Sequence, residues 1–403
     1  MDTSLANLLG VSVVAFLVPF FLGFFPRLRI PAVVLELVAG IIVGPAVLGW
    51  VKPDDAVMLM STLGVAFLLF LAGLELDLDD LKGRPLKLGG YAFVLSVVIG
   101  LALTSLLGAA DIVLTPALVA IALASTSVGI IVPALRDTGQ LSTPTGKFTM
   151  AGASVAEFGT IALLAVFFST GASPAIEALL LVVVAVLGLI VLRLLLRFAS
   201  HSASMKVFLR LDETSSQVRV RLAVMLLLAS VVIANRFGFE SILGAFLMGA
   251  VLAIVARTWE NEERFRSKVE AVGFGVFVPV FFVTSGLKFD LSGLSDPAEL
   301  LRIPLFIAIL LAVHVLPAML FRNDLSRRET AAAGLLLATN LSFIVVVADL
   351  GIELGKMRQV TGDALIMAGL FSALVFPAAA QKLLRVAAVR QPDPVDAPSD
   401  EDL

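Results

Sequence analysis

Residues 115–135 read TPALVAIALASTSVGIIVPAL, an apolar run whose middle is interrupted by Ala124-Ser125-Thr126-Ser127-Val128-Gly129, with Pro133 beyond. A second run, residues 329–350, reads ETAAAGLLLATNLSFIVVVADL and is interrupted at matching depth by Thr339-Asn340-Leu341-Ser342. Read singly, each interruption is a set of hydroxyls bonding carbonyls of its own helix. Read together, the matching positions predict a pair of broken helices. Backbone unwinds inside a bilayer only where it faces protein or a wet cavity. Paired discontinuous helices in corresponding positions of two halves therefore mark a transport site.

The rest of the chain supplies the two halves. Of 403 residues, 59% are hydrophobic and 15% charged, against about a quarter charged in a soluble domain. Lipid is the solvent such a composition fits, and a spanning helix takes about 20 apolar residues. About thirteen candidate spans follow, near 5–25, 31–49, 57–75, 88–108, 115–135, 147–169, 175–197, 219–237, 241–256, 271–288, 301–321, 329–350 and 361–384. Barrel strands of alternating polarity are absent from the pattern. The expectation is an all-α polytopic membrane protein. The N-terminus carries no basic leader and reads as the first span, not a removable signal.

Placing the N-terminus outside puts 23 of the 29 basic residues on the inner side, as cytoplasmic loops require. An odd span count then puts the C-terminus inside. With span seven set aside as a connector, six spans remain on each side, entering the membrane from opposite faces. The expected organisation is a first inverted repeat plus linker helix over 1–197 and a cytoplasmic linker over 198–218. A second repeat covers 219–390, and an acidic, disordered tail covers 391–403. The charged stretch Glu75, Asp77, Asp79, Asp80 reads as a solvated cluster after span three.

An ionisable group at mid-membrane costs at least about 2.5 kcal/mol on insertion scales and is a functional candidate by default. Glu157 lies near the centre of span six, with no basic residue within a helical turn. Its bland alternative is a glutamate locked in a hydrogen-bond network. His314 lies near the middle of span eleven; a lone histidine there serves either as a structural donor or as a second proton site. Glu36 and Asp349 lie nearer the membrane faces and read as capping, pairing or vestibule residues. Gly362-Asp363 has the dipeptide of intramembrane aspartyl proteases but no partner aspartate motif. With no cysteine, two histidines and no phosphate-cradling loop, no cofactor, no resident metal, no catalytic residue set and no nucleic-acid partner are expected. The chain does not read as an enzyme.

Three segments carry a family resemblance. Residues 30–49 read IPAVVLELVAGIIVGPAVLG, residues 68–78 LLFLAGLELDL and residues 279–291 PVFFVTSGLKFDL. Together they resemble the cation/proton antiporter superfamily, in the branch of bacterial sodium/proton exchangers and potassium efflux antiporters. The resemblance runs over essentially all spans. It implies a homodimer with a scaffold and a mobile six-helix core, two crossed broken helices, and a membrane location. In the family, span six carries an Asp-Asp or Asn-Asp pair whose second member binds the ion; here the pair is Ala156-Glu157. Many members carry a lysine where His314 stands. These departures fit one another: with Ala156, a lysine at 314 would lose its acidic partner, whereas histidine can be neutral.

The expected mechanism is exchange of Na+ or K+ for a proton across the cell (inner) membrane, with Glu157 binding one or the other. Ser125, Thr126, Ser127, Asn340 and Ser342 are the expected supporting ligands, since hard cations take oxygen donors. A sodium-coupled organic-solute symporter and an ion channel share the same topology and remain the alternatives.

Overall fold

The structure is a computed structural model, and it describes residues 2–25, 30–75, 83–168, 217–236, 241–257, 259, 261–292 and 296–388. Span seven, almost all of the 198–218 linker, Asp77, Asp79, Asp80 and the 391–403 tail lie outside these residues. Every described regular element is helical. The first half gives α1 (Asp2–Phe24), α2 (Ala32–Val43), α3 (Asp55–Leu74), α4 (Gly83–Ala109), α5 (Pro116–Ala124), α6 (Val128–Asp137) and α7 (Pro144–Phe168). The second gives α8 (Val218–Arg236), α9 (Ser241–Ala256), α10 (Glu262–Val272), α11 (Val278–Leu287), α12 (Arg302–Ala318), α13 (Arg327–Leu337), α14 (Ser342–Glu353) and α15 (Gln359–Ala388).

Among the described residues eight stretches are long and apolar enough to cross a membrane, counting α5–α6, α10–α11 and α13–α14 as one stretch each. α2 and α9 are shorter apolar helices. Local chemistry sets the ends. Asp54 caps α3 by accepting from Val57 N at 3.1 Å. Asn7 Nδ2 donates to the same carboxylate at 2.9 Å, and this bond, with the cap, holds the Asp54 carboxyl below its ordinary range. Ser326 and Glu329 form a reciprocal capping box at the start of α13. α10 and α11 form a continuous helical run through a π turn at Gly273–Phe277, and this run starts at Glu262, earlier than the hydropathy of 271–288 predicts.

The chain divides into two compact units, Met1–Asp80 with Thr160–Gly293, and Leu81–Gly159 with Leu294–Leu403. Each unit thus takes three spans from each half of the sequence. In the first unit α2 packs on α11 and α3 on α9 at backbone distance. A methyl group built at Gly40 would overlap the Val283 carbonyl, and one at Gly286 the Leu37 carbonyl; one at Gly73 would overlap the Phe246 carbonyl, and one at Gly249 the Phe70 carbonyl. In all four cases the blocking carbonyl lies three residues before the partner glycine. The second span of one half meets the third of the other, twice, with the halves exchanged. That is the signature of two inverted repeats. Small residues are what permit such close helix approach in lipid.

The second unit centres on a cluster that joins Ala92 of α4, Ile131, Ala134 and Leu135 of α6, Phe148 and Ala153 of α7, Leu336 and Leu337 of α13, and Ala380 of α15. This core holds both broken pairs.

Candidate functional site

The apolar runs at 115–135 and 329–350 are both broken. α5 ends at Ala124 and α6 begins at Val128; between them Ser125 and Ser127 are extended, with φ/ψ of −77°/162° and −121°/98°. α13 ends at Leu337 and α14 begins at Ser342. The breaks pair with each other. Ser127 N donates to Thr339 O at 3.0 Å, and Thr126 Oγ1 lies 3.4 Å from the same oxygen.

Asn340 ties the crossing together. Its Nδ2 donates to Ala122 O at 2.9 Å, to Ser125 O at 2.9 Å, and to Ser125 Oγ. Ser125 Oγ in turn donates to Ala122 O at 2.7 Å. The carbonyls left open at the end of α5 are thereby satisfied without helix. Three acceptors around one terminal atom also fix which end of the amide is nitrogen. The other end, Oδ1, is buried with no hydrogen-bond partner among the described residues. A buried amide oxygen that forgoes its hydrogen bond needs a reason. Partial charges add to this. The carbonyl ends of α5 and α13 and the N–H ends of α6 and α14 meet here, giving negative and positive poles at one depth.

His314, 3% exposed on α12, bonds Leu310 O through Nδ1 at 3.0 Å. Its ring lies against the backbone of Ala124 and Ser125, yet Nε2 meets no hydrogen-bond geometry. Nδ1 carries the proton in this arrangement, because Leu310 O can only accept. Ser342 opens α14, half-buried, just past the break.

Glu157 is half-buried on α7. Ala153, one turn earlier and on the same face, is fully buried in the cluster that includes Leu337, with Val128 packed against it. Those two residues flank the breaks, and the buried part of α7 belongs to the same core as both. Ala156 is buried beside it.

The sequence reading missed Ser372. This α15 side chain is fully buried. It accepts from Asn340 N at 3.1 Å and lies 3.1 Å from Asn340 O and 2.8 Å from Gly369 O. The signal was present: a hydroxyl near the middle of span thirteen, at the depth Glu157 holds in span six. Elsewhere, Glu36 is 4% exposed on α2 with Oε2 unpartnered among the described residues, a deeper place than its position near a membrane face suggested. Asp363 accepts from Gln359 Nε2 at 3.0 Å. Among the described residues no group of three His, Asp or Glu side chains is placed to hold a metal ion.

A polytopic helical protein that crosses two broken helices from inverted repeats is, by architecture, a secondary transporter. Comparison with known proteins narrows the class. The chain belongs to the sodium/hydrogen exchanger family, whose transmembrane pattern matches residues 12–386. It is 29% identical over 399 residues to the putative Na+/H+ antiporter YjbQ of Bacillus subtilis, covering 95% of this chain and 64% of that protein's length. It is 27% identical over 358 residues to the Na+/H+–K+ antiporter GerN of Bacillus cereus, covering 87% and 89%. Its fold is similar to that of the sodium proton antiporter MjNhaP1 of Methanocaldococcus jannaschii, with a TM-score of 0.69, 17% identity and coverage of 95% and 99%.

Proposed function

We propose that this chain exchanges a monovalent cation, Na+ or K+, for a proton by alternating access, with Glu157 as the carboxylate for which the two ions compete. The reading rests on the crossing of the breaks. There Asn340 spends its Nδ2 on Ala122 and Ser125 and keeps a buried Oδ1 with no hydrogen-bond partner among the described residues, at breaks rich in serine and threonine oxygens. Oxygen donors of this kind suit hard cations. An ion and a proton cannot both neutralise one carboxylate, which couples the two fluxes. The names of the relatives support the same reading, since antiporters of Na+, H+ and K+ stand among them.

Asn340 supplies Oδ1, and Ser125, Thr126, Ser127 and Ser342 supply or position the remaining oxygens. The second unit, which holds the crossing, is the moving body. The protein sits in the cell membrane as a homodimer, N-terminus outside and C-terminus in the cytoplasm, as the distribution of its basic residues supports.

The deciding variant is Glu157→Gln. It keeps size and hydrogen bonding but cannot exchange a proton. In proteoliposomes carrying a pH-sensitive dye, cation-driven proton movement is expected to vanish while the protein stays folded. Wild-type exchange in that variant sinks the assignment. Uptake of an organic solute without proton movement would favour a symporter instead.

A further inference from the structure

The two repeats do not carry the same chemistry at the crossing. Glu157 is the fourteenth residue of α7, which begins at Pro144, and Ser372 is the fourteenth of α15, which begins at Gln359. α7 follows the first broken pair and α15 the second. Exchange of the halves therefore places Ser372 where the other repeat has its carboxylate. We infer that Ser372 is a positioning residue for the cation: it holds the Asn340 peptide, and through it the Asn340 side chain, in the ion-binding arrangement. The inference rests on the crossing being the transport site.

The hydrogen bonds define the role. The break strips Asn340 of its helical partners, and its N–H is taken by Ser372 Oγ. The hydroxyl has one proton and two carbonyls in reach, Asn340 O at 3.1 Å and Gly369 O at 2.8 Å. The shorter bond to its own helix fixes the rotamer, and the lone pairs then face the Asn340 N–H. With that peptide held, the side chain has one orientation. Nδ2 is spent on Ala122 and Ser125, and Oδ1 is left as the open acceptor. Ser372 does not need to touch the ion. A second carboxylate at this place would add a second proton to the cycle, and a neutral hydroxyl supports the geometry without doing so. An alanine here would leave the N–H unsatisfied in a dry interior and free the peptide to rotate.

The test uses the reconstituted full chain carrying Ser372→Ala, Ser372→Thr or Thr149→Ala. Thr149 is equally buried, but its hydroxyl bonds only the carbonyl of Thr145 in its own helix. Proton exchange is followed while the Na+ or K+ concentration is varied. Ser372→Ala is expected to raise the cation KM about five- to tenfold, the scale of a lost buried hydrogen bond, with saturating turnover retained. Ser372→Thr is expected to restore the wild-type KM, and Thr149→Ala to leave it unchanged. An unchanged KM in folded Ser372→Ala, or an equal rise in Thr149→Ala, overturns the inference. Should the alanine variant not yield folded protein, Ser372→Cys keeps the volume and weakens the bond. A raised KM there supports the role and a wild-type KM rejects it. Glu157→Gln in parallel separates the claims. If it still exchanges, the site reading fails; if it is dead while Ser372→Ala keeps its affinity, only the positioning role fails.

Discussion

The two compact units use opposite means to hold helices together. In the unit built from Met1–Asp80 and Thr160–Gly293, contact is made by deletion: glycines 40, 73, 249 and 286 let backbone touch backbone. In the unit built from Leu81–Gly159 and Leu294–Leu403, contact at the centre is made by hydrogen bonds across two places where helix has been given up. Among the described residues, buried polar side chains follow the same division, twice as many in the second unit as in the first. A close-packed helix pair has one arrangement, because interiors at crystal-like density do not deform gradually. A crossing of broken helices keeps open acceptors and poles of both signs, so it can accommodate a charge. Under the proposed function, the first unit would serve as a fixed frame and the second would carry the ion.

The sharpest way to break this comparison is to put bulk where there is none. Gly286→Leu and Gly73→Leu each force a side chain into a facing carbonyl. Overpacking costs about 1–3 kcal/mol where side chains can yield, and here the obstacle is backbone. Both variants are expected to lose most of their monodisperse yield in detergent, and what survives is expected to melt well below wild type. Because the two sites are equivalent under exchange of the halves, their losses are expected to match. A large loss in one and none in the other would remove the inverted-repeat relation from the first unit.

Within the second unit the expected effects are smaller and graded. Asn340→Ala removes the donor to Ala122 and Ser125 and the open Oδ1 together. Leaving buried acceptors unsatisfied costs about 1–3 kcal/mol, so a rise in cation KM of about tenfold or more is expected. Thr126→Ala removes only a 3.4 Å contact to Thr339 O, and about a twofold rise is expected from so long a bond. Cation titrations of proton exchange in proteoliposomes check both. Equal effects would mean that Asn340 is not the keystone of the crossing.

Those residues also show how far the sequence could be read. The breaks were legible because Ser125, Thr126, Ser127 and Asn340 interrupt otherwise continuous apolar runs, and polarity at that depth has few explanations. Glu157 stood out for the same reason. The glycine contacts were not legible, since a glycine in an apolar span gives no sign of what it faces. Ser372 hid for a related cause: one hydroxyl in a span is commonplace, and only the second break, 32 residues earlier in sequence, gives it meaning. The start of α10 escaped because Glu262, Glu263, Arg266 and Lys268 favour helix as strongly as they disfavour lipid. Hydropathy registers only the second property.

The least expected effect is the most informative about mechanism: imposed voltage is expected to leave the exchange equilibrium unmoved. In the proposed site α7 brings one acid, because residue 156 is alanine, and the equivalent place on α15 is the neutral Ser372. One competing carboxylate allows one positive charge outward for each one inward. A second proton per cycle requires another group that titrates on the path, and His314 is the candidate at the crossing. The bond it makes, Nδ1 to Leu310 O, is one a neutral ring can make. Each net charge moved would be driven by about 2.3 kcal/mol per 100 mV, so even one is easy to detect. Proteoliposomes clamped at several potentials with potassium and valinomycin, with Na+ or Li+ as substrate, are expected to reach the same cation gradient at each. A gradient that follows the voltage would show net charge movement. His314→Ala then locates the source. If it abolishes the dependence, the imidazole is the second proton carrier, and the division between a charged first repeat and a neutral second one no longer describes the cycle. If the dependence survives, the extra charge lies outside the crossing, and Glu36, buried in the other unit with Oε2 unpartnered among the described residues, is the first group to replace.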